Sequence, residues 1–406
     1  MPAAFLEYIR SKGSRSPWAR TDTVRIGGAT VPRFFDEFWT ARQRQASSLH
    51  EISYRACFKP QLPRFFIQAL TRPGDVVYDP FSGRGTTVIE AGLLGRNVAA
   101  NDINPLSRLL TAPRFWVPSL EEVAARLDAL DLTREARADM DLSMFYHPRT
   151  EAEIVNLRAY LLEREARGQA DHVDNWIRMV ATNRLTGHSS GFFSVYTLPP
   201  NQAVSPVRQM LINVSRRQKP EYRDIRSRIL RKSRSLMRSL SKNDIVALRQ
   251  AGQRAVFLSK DARCTRELPA DYVHLTVTSP PFLNVVQYAR DNWLRCWFNG
   301  IDAGKVEREI TASNSLAAWS QVMEAVFAEL YRITAPGGWV AFEVGEVRRG
   351  TVNLDEHAAP LGMKAGFRCV AILINCQQFT KTANIWGVRN NDVGTNTNRI
   401  VVFHKE

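Results

Sequence analysis

Two short segments of the chain carry residue types and spacings that suggest chemistry. In residues 79–87, Gly83 and Gly85 stand between a strand-like run and a helix-like run. Glycine lets a backbone approach a ligand closely, and the start of a helix offers amide groups to a polar or anionic ligand. Residues 279–282 read Ser-Pro-Pro-Phe, and the prolines fix φ and present backbone carbonyls as a rigid set of acceptors. The structural alternatives are a tight turn for the first segment and a strand-ending turn for the second.

The glycine segment favours a nucleoside ligand that has no pyrophosphate. Asp102 follows the next strand-like run, nineteen residues after Gly83, where a carboxylate accepts hydrogen bonds from ribose hydroxyls. Position 88 is Val, where a dinucleotide fingerprint has its third glycine, and no Lys-Ser or Lys-Thr pair follows the loop. These departures argue against NAD, FAD and a Walker phosphate loop. The commonest ligand that remains is S-adenosylmethionine.

The segment DPFSGRGTT, residues 79–87, resembles the first motif of the DNA amino-methyltransferases that modify N4 of cytosine or N6 of adenine. The resemblance implies that this motif lines the methionine and ribose end of S-adenosylmethionine, and that residues 102–104 frame ribose and adenine. Asp261 resembles the acid that contacts the adenine amine, with a surface turn as the alternative. Residues 48–70 resemble the motif that closes the pocket near methionine, with an ordinary helix start as the alternative. The implied cofactor residues are Phe58, Lys59, Pro60, Asp79, Pro80, Phe81, Ser82, Gly83, Gly85, Thr86, Thr87, Asp102, Ile103, Asn104 and Asp261.

The Ser-Pro-Pro-Phe segment resembles the catalytic motif of the same family. An exocyclic amine on a pyrimidine is a poor nucleophile because its lone pair is delocalised into the ring, and acceptors for its two hydrogens favour the reactive pyramidal form. The resemblance implies that the Ser279 side chain and the Pro280 carbonyl accept those hydrogens, while Phe282 stacks on the flipped base. Catalysis would then rest on positioning and electrostatics, without a metal. The implied catalytic residues are Ser279, Pro280, Pro281 and Phe282.

Alternating strand-like and helix-like runs surround the two motifs. Strand-like runs cover residues 76–79, 98–102, 256–258, 274–279, 339–344, 369–375 and 400–404, and helix-like runs cover 86–94, 316–333 and 354–364. This alternation predicts an α/β fold, with a mostly parallel sheet covered by helices on both faces. With the resemblance, it predicts a Rossmann-like methyltransferase sheet in which both motifs follow strands at one edge.

The interval between the motifs reads as a mainly helical insert. Capping-box spacing at Ser119 with Glu122 and at Thr150 with Glu153 predicts two helix starts. We therefore expect an N-terminal segment (1–47), a cofactor-binding catalytic domain (48–110 and 254–406) and an inserted target-recognition domain (111–253). A helical stability or dimer domain is the alternative for the insert.

Positive charge is concentrated in that insert. The chain has 55 Lys and Arg against 40 Asp and Glu, a net charge of +15 over 406 residues, and residues 206–243 hold twelve basic residues and two acids. This excess favours nucleic acid, although an anionic membrane surface fits the charge equally well and a solvated helix face explains the basic stretch. In the target-recognition interpretation the phosphate contacts are Arg216, Arg217, Lys219, Arg223 and Arg226.

Composition also bounds the setting in which the protein works. No apolar run approaches the roughly 18 residues of a membrane-spanning helix. Five scattered cysteines without a CxxC pair indicate neither zinc nor disulfides and fit a reducing compartment. We expect a cytoplasmic protein of prokaryotic or phage type that binds no metal and inserts in no membrane.

The resemblance implies a sequence-specific methyltransferase that acts on double-stranded DNA. It would flip a cytosine and methylate its N4 atom, in a restriction-modification system with a separately acting endonuclease, because Ser279 at the first catalytic position leans toward cytosine and Asp would lean toward adenine. The alternatives are methylation of adenine N6 or of structured RNA. A further alternative is a nucleic-acid-binding protein without catalysis.

Overall fold

A computed structural model gives the structure of the protein. It describes residues 2–12, 19–39, 46–54, 57–198, 203–281, 291–310, 315–347, 352–376 and 397–406. The strands are β1 (Arg20–Ile26), β2 (Ala29–Asp36), β3 (Val76–Asp79), β4 (Asn97–Asn101), β5 (Val256–Leu258), β6 (Val273–Thr278), β7 (Thr334–Val344), β8 (Glu346–Val347), β9 (Val352–Asn353), β10 (Arg368–Cys376) and β11 (Thr397–His404).

A nine-stranded sheet in the order β1-β2-β10-β11-β7-β6-β3-β4-β5 forms the centre of the molecule. Strands β3 to β7 of this sheet are mutually parallel, and β11 runs antiparallel to β7 and β10. The chain leaves β3 toward β4 on one side and later returns to β6 on the other side. Ligands of open α/β sheets bind at such a reversal of strand order, outside the carboxyl ends of the strands. The predicted α/β fold with a Rossmann-like, mostly parallel sheet is confirmed.

The N-terminal segment adds two strands to this sheet that the sequence analysis did not predict. β1 and β2 form an antiparallel hairpin, and β2 pairs in parallel with β10. The turn between them is Gly27-Gly28, and both glycines have positive φ. A two-glycine turn between β-rich runs is a hairpin signal, so the missed strands were detectable.

Helices cover both faces of the sheet. Val77, Val98 and Val277 point to one face with the insert and the N-terminal helices, while Tyr78 and Val340 point to the other face with the late helices. The helices are α1 (Pro2–Lys12), α2 (Gln61–Leu70), α3 (Thr86–Leu93), α4 (Leu106–Thr111), α5 (Leu120–Asp128), α6 (Pro148–Ala166), α7 (His172–Arg184), α8 (Pro206–Arg216), α9 (Ile225–Met237), α10 (Lys242–Gln253), α11 (Trp293–Phe298), α12 (Ala303–Glu309), α13 (Leu316–Ile333) and α14 (Asp355–Lys364).

Six helices, α5 to α10, lie in the interval 111–253 and confirm its mainly helical character. The capping box at Ser119 and Glu122 is present. The one expected at Thr150 is wrong, because α6 begins earlier, at Pro148, with His147 as its cap. The Thr150 hydroxyl instead bonds the Arg223 carbonyl, at 3.1 Å.

Two kinds of feature are absent from the described ranges. None of the helices there is both long and apolar enough to cross a membrane. No group of three or more His, Cys, Asp and Glu side chains in those ranges is arranged to hold a metal ion.

Candidate active site

The two motifs meet at the carboxyl ends of the neighbouring strands β3 and β6. The Thr278 hydroxyl, at the end of β6, donates to the Asp79 carboxylate, at the end of β3, with an oxygen–oxygen distance of 2.6 Å. Thr87, in the first turn of α3, donates to the Val277 carbonyl at 3.0 Å. The glycine loop and the Ser-Pro-Pro corner therefore border one cleft at the reversal of strand order.

The glycine loop has a backbone that only glycine adopts easily at two positions. Gly83 and Gly85 have φ of 52° and 75°, in the left-handed region. A Cβ atom on Gly85 would lie 2.4 Å from the Thr111 side chain. Gly85 also caps α3, so Thr86 and Thr87 form the first turn of that helix at the cleft. The Ser82 hydroxyl is bonded to the Ser107 hydroxyl at 2.8 Å, which ties the loop to α4.

Asp102 holds the loop from the next strand. Its two carboxylate oxygens accept the Gly83 amide at 2.8 Å and the Asn104 amide at 2.9 Å. The apolar surroundings raise the pKa of Asp102 to about 6. Asp102 and Ile103 remain partly exposed, whereas Asn104 is buried. Because a carboxylate has about four lone-pair sites, the exposed side of Asp102 can still accept ribose hydroxyls.

Asp79 is a buried acid whose environment fits a cationic ligand. It is 1% exposed, and burial raises its pKa to about 7. Besides Thr278, it accepts the Phe81 amide at 3.1 Å. Among the described residues, no Lys, Arg or His forms an ion pair with it. S-adenosylmethionine carries a sulfonium and an ammonium, so the chemistry of this loop fits the cofactor that the sequence predicted.

Two further members of the first motif have supporting places in the loop. Pro80 is buried, and its carbonyl accepts the Asn101 side-chain amide at 3.2 Å. Phe81 is half-buried and packs against the core of the sheet face that carries Tyr78. Both residues therefore fix the backbone between β3 and the glycines.

Residues 48–54, here called the strap, lie over the glycine loop. Arg84, between the two glycines, donates to the His50 and Ile52 carbonyls at 3.2 and 2.9 Å. The Tyr54 hydroxyl accepts the Asn104 amide at 3.4 Å, and the Tyr54 ring lies 3.5 Å from the position of a Cβ on Gly83. The strap therefore covers the glycine loop. The sequence analysis assigned it to the pocket only as part of residues 48–70.

The residues after the strap lead into α2. Pro60 is buried at the start of this helix, and Phe58 and Lys59 are half-buried. Burial, with a smaller contribution from Arg84, lowers the pKa of Lys59. Cys57 is also at the loop, with its Sγ 3.5 Å from the position of a Cβ on Gly83. The predicted pocket residues thus lie beside the glycine loop.

The Ser-Pro-Pro corner is held by two groups from neighbouring elements. The half-buried Ser279 side chain lies close to the carboxylate of Glu343, at the end of β7. The Asn398 amide donates to Glu343 at 2.8 Å, and burial raises the pKa of this acid. Pro280 is buried, and the Pro281 carbonyl accepts the Trp319 indole N–H at 3.2 Å. Phe282 lies outside the described residues.

Asp261 has a partner other than a ligand. It follows β5 at the edge of the sheet and is partly exposed. Its carboxylate accepts the Arg263 guanidinium at 3.0 Å, and this contact lowers the pKa of Asp261. The predicted contact with an adenine amine would therefore share this carboxylate with Arg263.

Sequence reasoning missed Glu343 and included Tyr54 and Arg84 only as members of longer segments. Glu343 had a signal, because it is the one charged residue in the run TAPGGWVAFEV of β7. A buried charge needs a partner, and here the Asn398 amide donates to it. The individual contacts of Tyr54 and Arg84 had no such signal, since they join segments that are distant along the chain.

A second cleft, of about 810 Å³, lies at the β5 edge of the sheet. Its lining includes Arg108, Trp116, His172 and Phe257 but none of the predicted site residues. It is therefore separate from the cleft between β3 and β6.

Comparison with known proteins matches residues 16–107 to a family described as DNA methylase. The type II methyltransferase M.MjaII of Methanocaldococcus jannaschii is 30% identical over 97 residues, which are 23% of this chain and 18% of that protein. A tRNA (guanine(10)-N2)-dimethyltransferase of the same organism is 36% identical over 63 residues, 15% of this chain and 18% of that protein. Each match thus spans about a fifth of the relative's length.

Solved structures with a detectable likeness include two proteins from Thermus thermophilus. TrmN is 13% identical, with 90% of this chain and 52% of that chain covered and a TM-score of 0.33. A putative DNA modification methylase complexed with S-adenosyl-L-methionine is 21% identical, with 36% and 53% covered and a TM-score of 0.22. These TM-scores are too low to support a fold, which rests on the strand order.

The family match covers the strap, the glycine loop and Asp102, whose contacts have been described above. Among the described residues the buried Asp79 carboxylate of this segment has no ion-pair partner. Residues 16–107 therefore resemble part of the family described as DNA methylase.

Proposed function

We propose that the protein is a sequence-specific DNA methyltransferase that transfers a methyl group from S-adenosylmethionine to N4 of a flipped cytosine. The observation that supports this most is the hydrogen bond between Thr278 and Asp79, at 2.6 Å. It joins the residue that precedes the catalytic motif to the first residue of the cofactor motif. A target amine bound at Ser279 and a methyl donor bound at the glycine loop would therefore be neighbours.

In this proposal Ser279, Pro280 and Glu343 prepare the amine. The Ser279 hydroxyl, which lies close to the Glu343 carboxylate, donates to it in this scheme, so that its oxygen lone pairs accept one amine hydrogen. The Pro280 carbonyl accepts the second hydrogen, which favours the pyramidal form of the nitrogen. S-adenosylmethionine, when bound, supplies an electrophilic methyl group on a sulfonium. These groups act by positioning and by electrostatic stabilisation.

The same hydrogen bonds offer an exit for the proton that the methylated amine must lose. The proton passes to Ser279 Oγ as the Ser279 hydroxyl proton moves to the Glu343 carboxylate. Burial raises the pKa of Glu343, which makes this carboxylate a better base than an exposed glutamate. Ser279 is unchanged at the end, and Glu343 returns its proton to solvent.

Asp79, Asp102 and the strap hold the cofactor in this scheme. The Asp79 carboxylate faces the cationic end, the partly exposed Asp102 accepts the ribose hydroxyls, and Tyr54 closes the pocket above Gly83. Double-stranded DNA is the substrate in this proposal, which agrees with a charge excess that favours nucleic acid, and the insert is the target-recognition region. A restriction-modification role with a separate endonuclease is part of the same proposal.

Adenine N6 or RNA are the competing targets. The RNA alternative has one supporting observation, the match to a tRNA dimethyltransferase over 63 residues. In that reading the cofactor cleft is the same and only the target base differs.

Tritiated methyl transfer to unmodified duplex DNA and to RNA tests the activity, and mass spectrometry of the nucleosides identifies the base. We expect N4-methylcytosine in DNA. Single-molecule sequencing of plasmid from an expressing host then reports the sequence context. Full activity of Asp79→Ala or Ser279→Ala would refute the assignment of the active site. Detection of N6-methyladenine or of a modified RNA base would refute cytosine N4 as the target.

A further inference from the structure

Two arginines that belong to neither motif lie near the strap: Arg295 is buried and Arg184 is half-buried. Arg295, in α11, is 4% exposed. A guanidinium has five N–H donors, but in the described part of the chain the side chain of Arg295 makes one hydrogen bond, to Asn292 at 3.0 Å. Asn292 is a neutral partner. The positive charge of Arg295 thus has no balancing charge among these contacts.

Arg184, the last residue of α7, is in a similar state. It donates to the Asn183 carbonyl at 3.1 Å and to the Asn183 side-chain oxygen at 3.0 Å, and it stacks on Phe192 at 3.9 Å. Burial, and then the charge of Arg295, lower the pKa of Arg184 to about 10. The two guanidinium groups are therefore close enough to repel each other.

Acidic residues do not compensate this pair. In the described ranges neither arginine forms an ion pair with Asp or Glu, although other buried arginines such as Arg178 do. The residues outside those ranges contain a single acid, Asp392. Like charges buried together without an anion are unfavourable, so the arrangement suits a protein that receives the anion from a ligand.

The pair is next to the cofactor cleft. The Asn183 amide donates to the Ser53 carbonyl of the strap at 3.1 Å, and Tyr54 interacts electrostatically with Arg295. The Tyr54 ring also lies beside Gly83, and its hydroxyl accepts the Asn104 amide. Tyr54 therefore lies at the glycine loop and within electrostatic reach of Arg295.

We propose that Arg184 and Arg295 form an anion-binding site that receives one carboxylate or phosphate group in the cleft. Guanidinium groups bind both anions through paired hydrogen bonds. Two sources supply such a group there: the carboxylate of the cofactor's methionine part, and a backbone phosphate beside the flipped nucleotide. The two candidate ligands rest on the proposed function, whereas the presence of Arg184 and Arg295 does not.

The cofactor source is tested by calorimetric binding of S-adenosylmethionine and of its decarboxylated analogue to the wild type, Arg184→Met and Arg295→Met. If the cofactor supplies the anion, both variants lose on the order of tenfold to hundredfold affinity for S-adenosylmethionine and little for the analogue. Arg158→Met is the matched control, because Arg158 donates to the Trp297 carbonyl of α11 and stacks on the Trp297 ring, at 5.0 Å. Melting temperatures verify that each variant is folded.

The phosphate source is tested with a duplex that contains the methylated site, with and without a neutral methylphosphonate beside the target nucleotide. If DNA supplies the anion, cofactor binding is unchanged, both variants bind the natural duplex more weakly, and the methylphosphonate weakens the wild type but not the variants. Unchanged binding of both ligands overturns the assignment. So does an equal loss for S-adenosylmethionine and its decarboxylated analogue without an effect on DNA.

These outcomes are separable from failure of the proposed function. Cofactor binding needs no methyl transfer, so an arginine-dependent preference for the carboxylated cofactor stands even if no nucleic acid is methylated. Conversely, full methylation of DNA by Arg184→Met and Arg295→Met, with unchanged binding, refutes the anion site and leaves the function intact.

Discussion

The arginines of the basic stretch 206–243 and the pair Arg184 and Arg295 near the strap differ in what surrounds them. In the basic stretch, Arg223 donates to the carbonyls of Ser189, Phe192 and Ser194, and Arg226 donates to the Leu130 carbonyl. These side chains fasten the irregular segment after α7 and the end of α5. Near the strap, Arg184 and Arg295 repel each other and have neutral partners only.

This difference shows that charge density along the chain does not identify the charges that are free for a ligand. Residues 206–243 are the most basic stretch, yet two of the five predicted phosphate contacts, Arg223 and Arg226, are half-buried and used within the fold, and Arg216 stacks on Tyr196 at 3.8 Å. The exposed basic side chains there that lack an ion pair in the described ranges are Arg208, Arg216, Arg217, Lys219, Arg231, Arg234 and Lys242. We expect phosphate contacts from this set.

The largest effect is expected in the cleft, from Ser279→Ala. Removing one acceptor that acts on the transition state lowers kcat by on the order of 100- to 1000-fold. The dissociation constant of S-adenosylmethionine stays unchanged, because Ser279 faces the target base. Single-turnover kinetics and calorimetry measure the two quantities. Equal loss of binding and turnover would place Ser279 in cofactor binding instead.

Glu343→Gln is expected to have a smaller effect on the same step. Glutamine still accepts the Ser279 hydrogen bond but cannot take up its proton, so kcat falls on the order of tenfold to 100-fold, within the usual range of a general base. The measurement is kcat against pH. Retention of the wild-type rate and pH profile would limit Glu343 to positioning Ser279.

The Asp79 carboxyl is expected to make cofactor affinity depend on pH. Its pKa is about 7 in the free protein, so ionisation between pH 6 and pH 8 raises the affinity for the cationic cofactor by about tenfold. Since the folded pKa is above the ordinary value, the stability contribution of Asp79 in the free protein is present below that ordinary pKa and lost as the pH rises through 7. Asp79→Asn is expected to abolish this pH-dependent rise in cofactor affinity, which calorimetry at several pH values measures. A rise that persists in the variant would show that another group titrates.

The smallest effects are expected in the insert, where they separate its two kinds of arginine. Arg231→Gln weakens DNA binding a few-fold and lowers the slope of log affinity against log salt by about one, because one phosphate contact is lost. Arg223→Gln lowers the melting temperature, because three carbonyls lose their donor, and leaves that slope unchanged. Fluorescence anisotropy and calorimetry measure both. The same change in the salt slope for both variants would contradict the division into phosphate-binding and structural arginines.

Local features of the site could be predicted from the sequence alone. The residues of the glycine loop are consecutive in the chain, so their strand–turn–helix form follows from neighbouring residue types. The same holds for the strands that carry Asp102 and Ser279, whose predicted limits differ from the structure by about one residue. The order β3-β6 at the centre of the sheet follows from general topology rules.

Only the tertiary structure decided which distant groups meet. Ser279 lies near Glu343, Gly83 lies near Tyr54, and Arg184 lies near Arg295. The members of each pair are about 30 to 110 residues apart in the sequence. No local pattern encodes such a contact, because it depends on how β7, the strap and α11 pack against the sheet. The sequence alone determined the two motifs and the sheet that carries them. Packing determined which acids, aromatic rings and charges surround the motifs, because burial and pairing are properties of the folded chain.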